Sequence, residues 1–146
     1  MARIPIDIGA GKLKESNIIV GIDLGTTNSL IAKMTDGVPQ IIVDIDKDVI
    51  TPSVVHIGPA GLITVGEEAR ALLSHDPTHT IYSVKRLIGK SFADVQAHVS
   101  YFGYRLCEDD NGGQVKIQIG ERLYSPTEIS TYILLELKRR AEHRLK

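Results

Sequence analysis

Ile18-Ile19-Val20-Gly21-Ile22-Asp23-Leu24-Gly25-Thr26-Thr27-Asn28-Ser29-Leu30 reads as a buried strand, a tight loop and the start of a second strand. Side chains alternate along a strand, so Ile18, Val20, Ile22 and Leu24 share one face. Asp23 falls on the other face with Ile19 and Gly21, at the strand's end. Gly25 tolerates backbone angles that other residues avoid. Thr26, Thr27, Asn28 and Ser29 add short hydroxyl and amide side chains and closely spaced backbone N–H groups, a combination that can cradle phosphate oxygens. An acid at the mouth of such a loop suits Mg2+, a hard cation that takes oxygen ligands and keeps several waters. The plainer alternative is a β-hairpin whose polar loop only turns the chain.

The rest of the chain sets the frame. A length of 146 residues predicts one domain with a core of its own. With 42% hydrophobic and 24% charged residues, the composition is that of an ordinary globular protein. A formal net charge of −1 gives no electrostatic case for nucleic acid or for an anionic membrane. Cys107 is the only cysteine, which rules out an internal disulfide and suits a reducing compartment such as the cytoplasm. No apolar run approaches the roughly 20 residues of a membrane helix. Residues 1–17 hold Asp7, Lys12 and Lys14 among their apolar residues, so they read as a flexible extension and not as a signal peptide.

After the first loop, strands are expected over Leu30–Met34 and Gln40–Val43, joined by an Asp36-Gly37 turn into an antiparallel meander. Asp44 to Asp48 lacks the glycine and distal glutamate of a Ca2+ loop and reads as a solvated turn. Thr51-Pro52-Ser53 introduces a strand over Val54–Ile57, and Gly58 to Gly61 turns it into Leu62–Val65. Glu67 to Leu73 reads as a short helix with acids in its first turn. His75 and His79 flank Pro77 and have no third ligand, so zinc is not expected there. Ser83 to Gly89 reads as a short helix, and on spacing alone Lys85 and Arg86 are surface cations. A helix follows over Ser91–Val99, with Phe92, Val95 and Val99 packing inward. Strands are expected over Tyr104–Glu108, Val115–Ile119 and Leu123–Tyr124. Ser125-Pro126-Thr127-Glu128 is a capping box with proline at the first helical position. The long helix it opens buries Ile129, Ile133, Leu137, Ala141 and Leu145, with Glu136–Arg140 and Glu142–Lys146 pairs on its exposed side.

The run Gly21-Ile-Asp23-Leu-Gly25-Thr26-Thr27-Asn28-Ser29 resembles the first phosphate loop of the 70-kDa heat-shock chaperones, the DnaK type. The resemblance extends in family order through Thr51-Pro52-Ser53, Val65-Gly66, Lys85-Arg86-Leu87-Ile88-Gly89 and the Ser125 helix. It implies an α/β fold: the actin-like, ribonuclease H-like ATPase fold, first lobe only, with the meander in an inner subdomain. A smaller mixed β/α outer subdomain and a long C-terminal helix complete it. It implies ATP or ADP with Mg2+ as cofactors. Asp23 would hold a Mg2+-bound water, and Gly25, Thr26, Thr27 and Asn28 would line the phosphates. Thr26 would also orient the attacking water, and Lys85 would support phosphoryl transfer. Asp23, Thr26 and Lys85 are thus the catalytic candidates. The implied partners are a J-domain co-chaperone and a protein client. The stretch before Ile18 and the run Ser83 to Val95 are similar to the bacterial, HscA-like branch specialised for iron–sulfur cluster assembly, whose partner is a scaffold protein.

The family's second phosphate loop, second catalytic carboxylate region, adenosine pocket and peptide-binding domain have no counterpart in these 146 residues. The expectation is a partial nucleotide-binding domain over residues 18–146, a piece of a longer chaperone, that alone binds ATP weakly or not at all. Two alternatives stay open at this point. A sugar or acetate kinase of the same superfamily would share the Asp-x-Gly-Thr core of the loop. A catalytically silent interaction module would use the loop only as a turn.

Overall fold

The computed structural model describes residues 18–43, 49–109 and 112–145. The expectations for the N-terminal extension and for the aspartate-rich turn at 44–48 lie outside the described residues. The meander forms from β1 (Val20–Leu24), β2 (Asn28–Thr35) and β3 (Val38–Ile41), all antiparallel. Asp36 and Gly37 take φ values of 51° and 78°, the doubly left-handed turn that closes a two-residue hairpin with Thr35 opposite Val38. The third strand starts two residues earlier than the sequence suggests and takes in Pro39, which an edge strand accommodates.

β1 does not form a buried strand. Ile22 is 41% and Ile19 67% exposed. Among the described residues β1 pairs with β2 alone, so its apolar residues have a neighbour on one edge only.

The two-residue β4 (Thr51–Pro52) pairs with the start of β2, Asn28 opposite Pro52 and Ser29 opposite Thr51. The chain then builds a second sheet. Its central strand β5 (Val54–Ile57) is buried throughout and lies between β6 (Ile63–Val65) and β7 (Thr80–Tyr82). The helix α1 (Glu67–Ala71) packs on β5 and β6.

After β7 the backbone departs from the expected helix. Ser83 is left-handed (φ 55°), Val84–Leu87 forms a single 3-10 turn, and Ile88 is already extended. The Ser91 capping box forms with Asp94, but α geometry lasts only through α2 (Phe92–Val95) and gives way to a 3-10 segment over Gln96–Tyr101. Three residues per turn place Val99 and Phe102 on one side, and both pack against the core. A third sheet follows: β8 (Arg105–Glu108), β9 (Val115–Ile119) and β10 (Arg122–Tyr124).

The helix α3 (Pro126–Arg144) ties the sheets together, touching β1, β2, β5, β6, β9 and the Val84–Leu87 turn. Its Ser125–Glu128 capping box is complete in both directions. Ile129, Ile133, Leu137 and Ala141 are each 1% exposed or less, so the apolar stripe is the spine of the core. One pairing differs from expectation. Glu136 and Arg140 meet at 3.2 Å, yet Arg140 is buried and its guanidinium reaches inward to β4. Glu142 pairs with Lys138 at 3.4 Å, and Lys146 lies outside the described residues. Sheets and helices thus share one core in a mixed α/β arrangement.

Candidate functional site

The loop after Asp23 is built from underneath. Ser53 is buried, and its Oγ donates to the Gly25 carbonyl at 2.9 Å. Its backbone N–H donates to the Thr27 carbonyl at 2.8 Å. Its one hydroxyl proton being spent on Gly25, the 2.8 Å contact between Ser29 Oγ and Ser53 Oγ has Ser29 as donor. Two buried serines therefore bolt the loop to the interior. The carbonyl oxygens of Gly25 and Thr27, which would repel an anion, are turned inward. Every described peptide is trans, so the N–H groups of Thr26 and Asn28 point away from Ser53. The bend leaves no space for a side chain at Gly25, where a Cβ would lie on the Asn28 carbonyl oxygen, far inside contact distance.

Asp23 pairs with Leu30 in the β1–β2 ladder, and its side chain is exposed at the end of β1. Thr27 and Asn28 are exposed, and Gly25 and Thr26 are half-buried. The carboxylate of Asp23 forms no ion pair with a described residue. An exposed carboxylate beside outward-facing backbone donors can accept from the water shell of a divalent cation held next to phosphate.

Lys85 belongs to the Val84–Leu87 turn. Val84 and Leu87 are buried, which leaves Lys85 and Arg86 outward. The turn is carried by β7, whose Tyr82 stands opposite Val54, the residue after Ser53. The strap that holds the loop and the strand that carries Lys85 are thus joined by one cross-strand step. The Lys85 ammonium also has no ion-pair partner among the described residues.

The reading of the sequence passed over the mechanical part of Ser53 and Ser29. The available signal was slight: Ser53 stands directly before the apolar run Val54-Val55 and Ser29 directly before Leu30-Ile31, and a hydroxyl buried with such a run must find a partner. It also passed over the polar cluster around Asp76. His79 Nδ1 and His56 Nε2 donate to its two carboxylate oxygens at 2.7 and 3.1 Å. These donors, His79 foremost, pull Asp76 down to about 2. A depression of about 450 Å3 near this cluster is lined by Thr78, His79, Tyr104 and Gln118 among others, and includes no residue of the loop. Burial pushes the Tyr104 phenol upward, so it stays neutral and donates to the Tyr82 carbonyl at 2.6 Å.

The model of the Hsp70 protein family matches residues 19–146. A chaperone protein HscA homolog from Actinobacillus pleuropneumoniae serotype 5b is 46% identical over 131 residues, which is 90% of this chain and 21% of the relative. The HscA homolog of Photobacterium profundum is 43% identical over 128 residues, 87% of this chain and 20% of the relative. That of Azotobacter vinelandii is 40% identical over 131 residues, 90% and 21% respectively. The chain spans about a fifth of the length of the curated relatives it matches. With a family match over nearly the whole described chain, the chain belongs to the Hsp70 family.

Proposed function

We propose that residues 18–146 form the first lobe of an actin-like ATPase domain, in an HscA-type chaperone that couples ATP turnover to binding and release of protein clients. Residues 1–17 precede that lobe, and the cytoplasm is the proposed compartment. The observation that carries this reading is the bend over Gly25–Asn28, its carbonyls tied to buried Ser53, with the exposed carboxylate of Asp23 beside it. The Hsp70 match favours it over a small-molecule kinase.

Bound Mg-ATP supplies the reacting phosphoanhydride and a divalent charge on its oxygens. The chain's own residues have separate tasks. Asp23 accepts hydrogen bonds from water in the metal's shell. Gly25 leaves room for the Asn28 carbonyl that closes the bend, and Thr26, Thr27 and Asn28 present donors to phosphate oxygens. The Thr26 hydroxyl also orients the attacking water. Lys85 brings positive charge to the side where negative charge grows. Hydrolysis shifts the chaperone between states of loose and tight client binding. A J-domain co-chaperone is the proposed stimulator and an iron–sulfur scaffold protein the proposed client, the partners implied by the resemblance of the loop and of the Ser83 to Val95 run.

The test is a chimera in which residues 19–145 replace the matching stretch of a full-length HscA homolog. It should hydrolyse ATP slowly in single-turnover assays. Lys85→Ala should lower that rate by about a hundredfold or more, with nucleotide still bound. A folded chimera without turnover, or a Lys85→Ala chimera as fast as its parent, overturns the proposal.

A further inference from the structure

Arg140 is 5% exposed on a helix whose neighbouring core positions are apolar. A guanidinium is costly to bury unless its donors are met. Here Nη1 donates to Thr51 Oγ1 at 2.7 Å and Nε donates to Glu136 Oε1 at 3.2 Å. Gly66 closes over the pair: a Cβ there would come within 3.2 Å of Thr51 Cγ2 and 3.7 Å of Arg140 Nη2. Thr51, itself 1% exposed, is the first residue of β4. That strand is two residues long, far too short to hold its own place. It is fixed at one end by Arg140 and continues at the other into Ser53, which grips the carbonyls of Gly25 and Thr27. Between the guanidinium and the bend stand only Thr51, Pro52 and Ser53.

We propose that Arg140 is a positioning residue for the phosphate loop, setting the stiffness of the Gly25–Asn28 bend from α3 through Thr51 and the β4 strap. The proposal deepens the reading of that bend as a phosphate site and rests on it for its biological sense. In mechanical terms, α3 and the bend move as one body while the Arg140–Thr51 bond is made. Displacement of α3 then reaches the bend directly.

Amide hydrogen exchange on this chain tests it without nucleotide. Removing Arg140 or Thr51 alone would leave a buried polar partner unmet and could destabilise the whole fold. The informative variant is therefore the double change Arg140→Met with Thr51→Val, which removes both partners at near-constant volume. Glu136 keeps its two 2.9 Å bonds from Arg139 in that variant. The expected result is a thermal midpoint close to that of the parent, with the Ser53 amide, which donates to the Thr27 carbonyl at 2.8 Å, exchanging about tenfold faster. Amides of β8, β9 and β10 should be unchanged, and Thr51→Ser, which keeps the hydroxyl, should behave as the parent. Unchanged exchange at the Ser53 amide, or a uniform rise across all three sheets, overturns the proposal. Adding Mg-ATP to the chimera described above separates the two readings. Failure of nucleotide to protect residues 26–29 there would count against the phosphate site, while the nucleotide-free comparison still decides the role of Arg140.

Discussion

Gly25 and Asp76 show how far a single residue can be read from its type. Glycine at position 25 was legible as a requirement, but the reason expected was backbone conformation. Gly25 is not among the glycines with positive φ; what excludes a side chain is the Asn28 carbonyl lying where Cβ would go. Asp76, the residue before Pro77, draws no expectation of its own from the sequence. Its two histidine donors come from β5, twenty residues back, and from three residues ahead. The His79 contact is local, three residues on, while the His56 contact is tertiary and leaves no trace in the neighbouring sequence. It has a consequence in acid. The carboxyl is held at about 2, below its ordinary 3.8, so the folded state binds its proton later than the unfolded chain does. The stabilisation is fully present above pH 4 and is lost as pH falls through the window from 3.8 to about 2. Asp76→Asn should remove that part of the acid limb. Melts followed by circular dichroism between pH 5 and pH 2 should show a shallower fall for the variant, and parallel curves would contradict the assignment.

Elements differ in how local their causes are. The start of α3 was readable because Ser125, Pro126 and Glu128 carry the whole cap within four residues, and both reciprocal bonds form. The Ser91–Asp94 box is equally local, and its helix begins where expected. Its end is not local: the switch to a 3-10 segment lets Val99 and Phe102 reach the same core. Arg140 is the clearest case of a non-local cause. Its i,i+4 relation to Glu136 suggested a solvated pair, while its decisive partner, Thr51, lies 89 residues away in sequence. The apolar stripe of α3 was legible by period alone, and it gives the element-scale prediction. Ile133 has no exposed surface and sits in the cluster that joins the sheets. Ile133→Ala should cost about 2–5 kcal/mol, the range for emptying a fully buried aliphatic site. Urea unfolding should show a lower midpoint with an unchanged slope, since the exposed surface on unfolding is nearly the same. A loss under about 1 kcal/mol would mean that α3 is not the spine of the core.

At the scale of the whole molecule the apolar surface is unevenly spent. The core around α3 is closed, while β1 and its neighbours leave Ile19, Ile22, Met34 and Val38 exposed. The sequence showed β1 as apolar on one face, and from that a buried strand followed; burial depends on what lies alongside, which no pattern within β1 records. The same reasoning applies to the site. In the proposed reading, a bend that presents donors on one side, with an exposed acid beside it, is one wall of a cleft. A triphosphate resting on one wall keeps most of its hydration and gains few contacts to offset its lost freedom. The chain alone should therefore bind Mg-ATP no tighter than about 1 mM, which leaves little usable heat in a titration at tens of micromolar protein. The chimera with the remaining four-fifths of an HscA homolog should bind at least a hundredfold tighter, about 3 kcal/mol, through the second wall. Calorimetry on the two proteins side by side decides it. Stoichiometric micromolar binding by the chain alone would show that these residues enclose the nucleotide by themselves, and the one-walled account of the site would have to be given up.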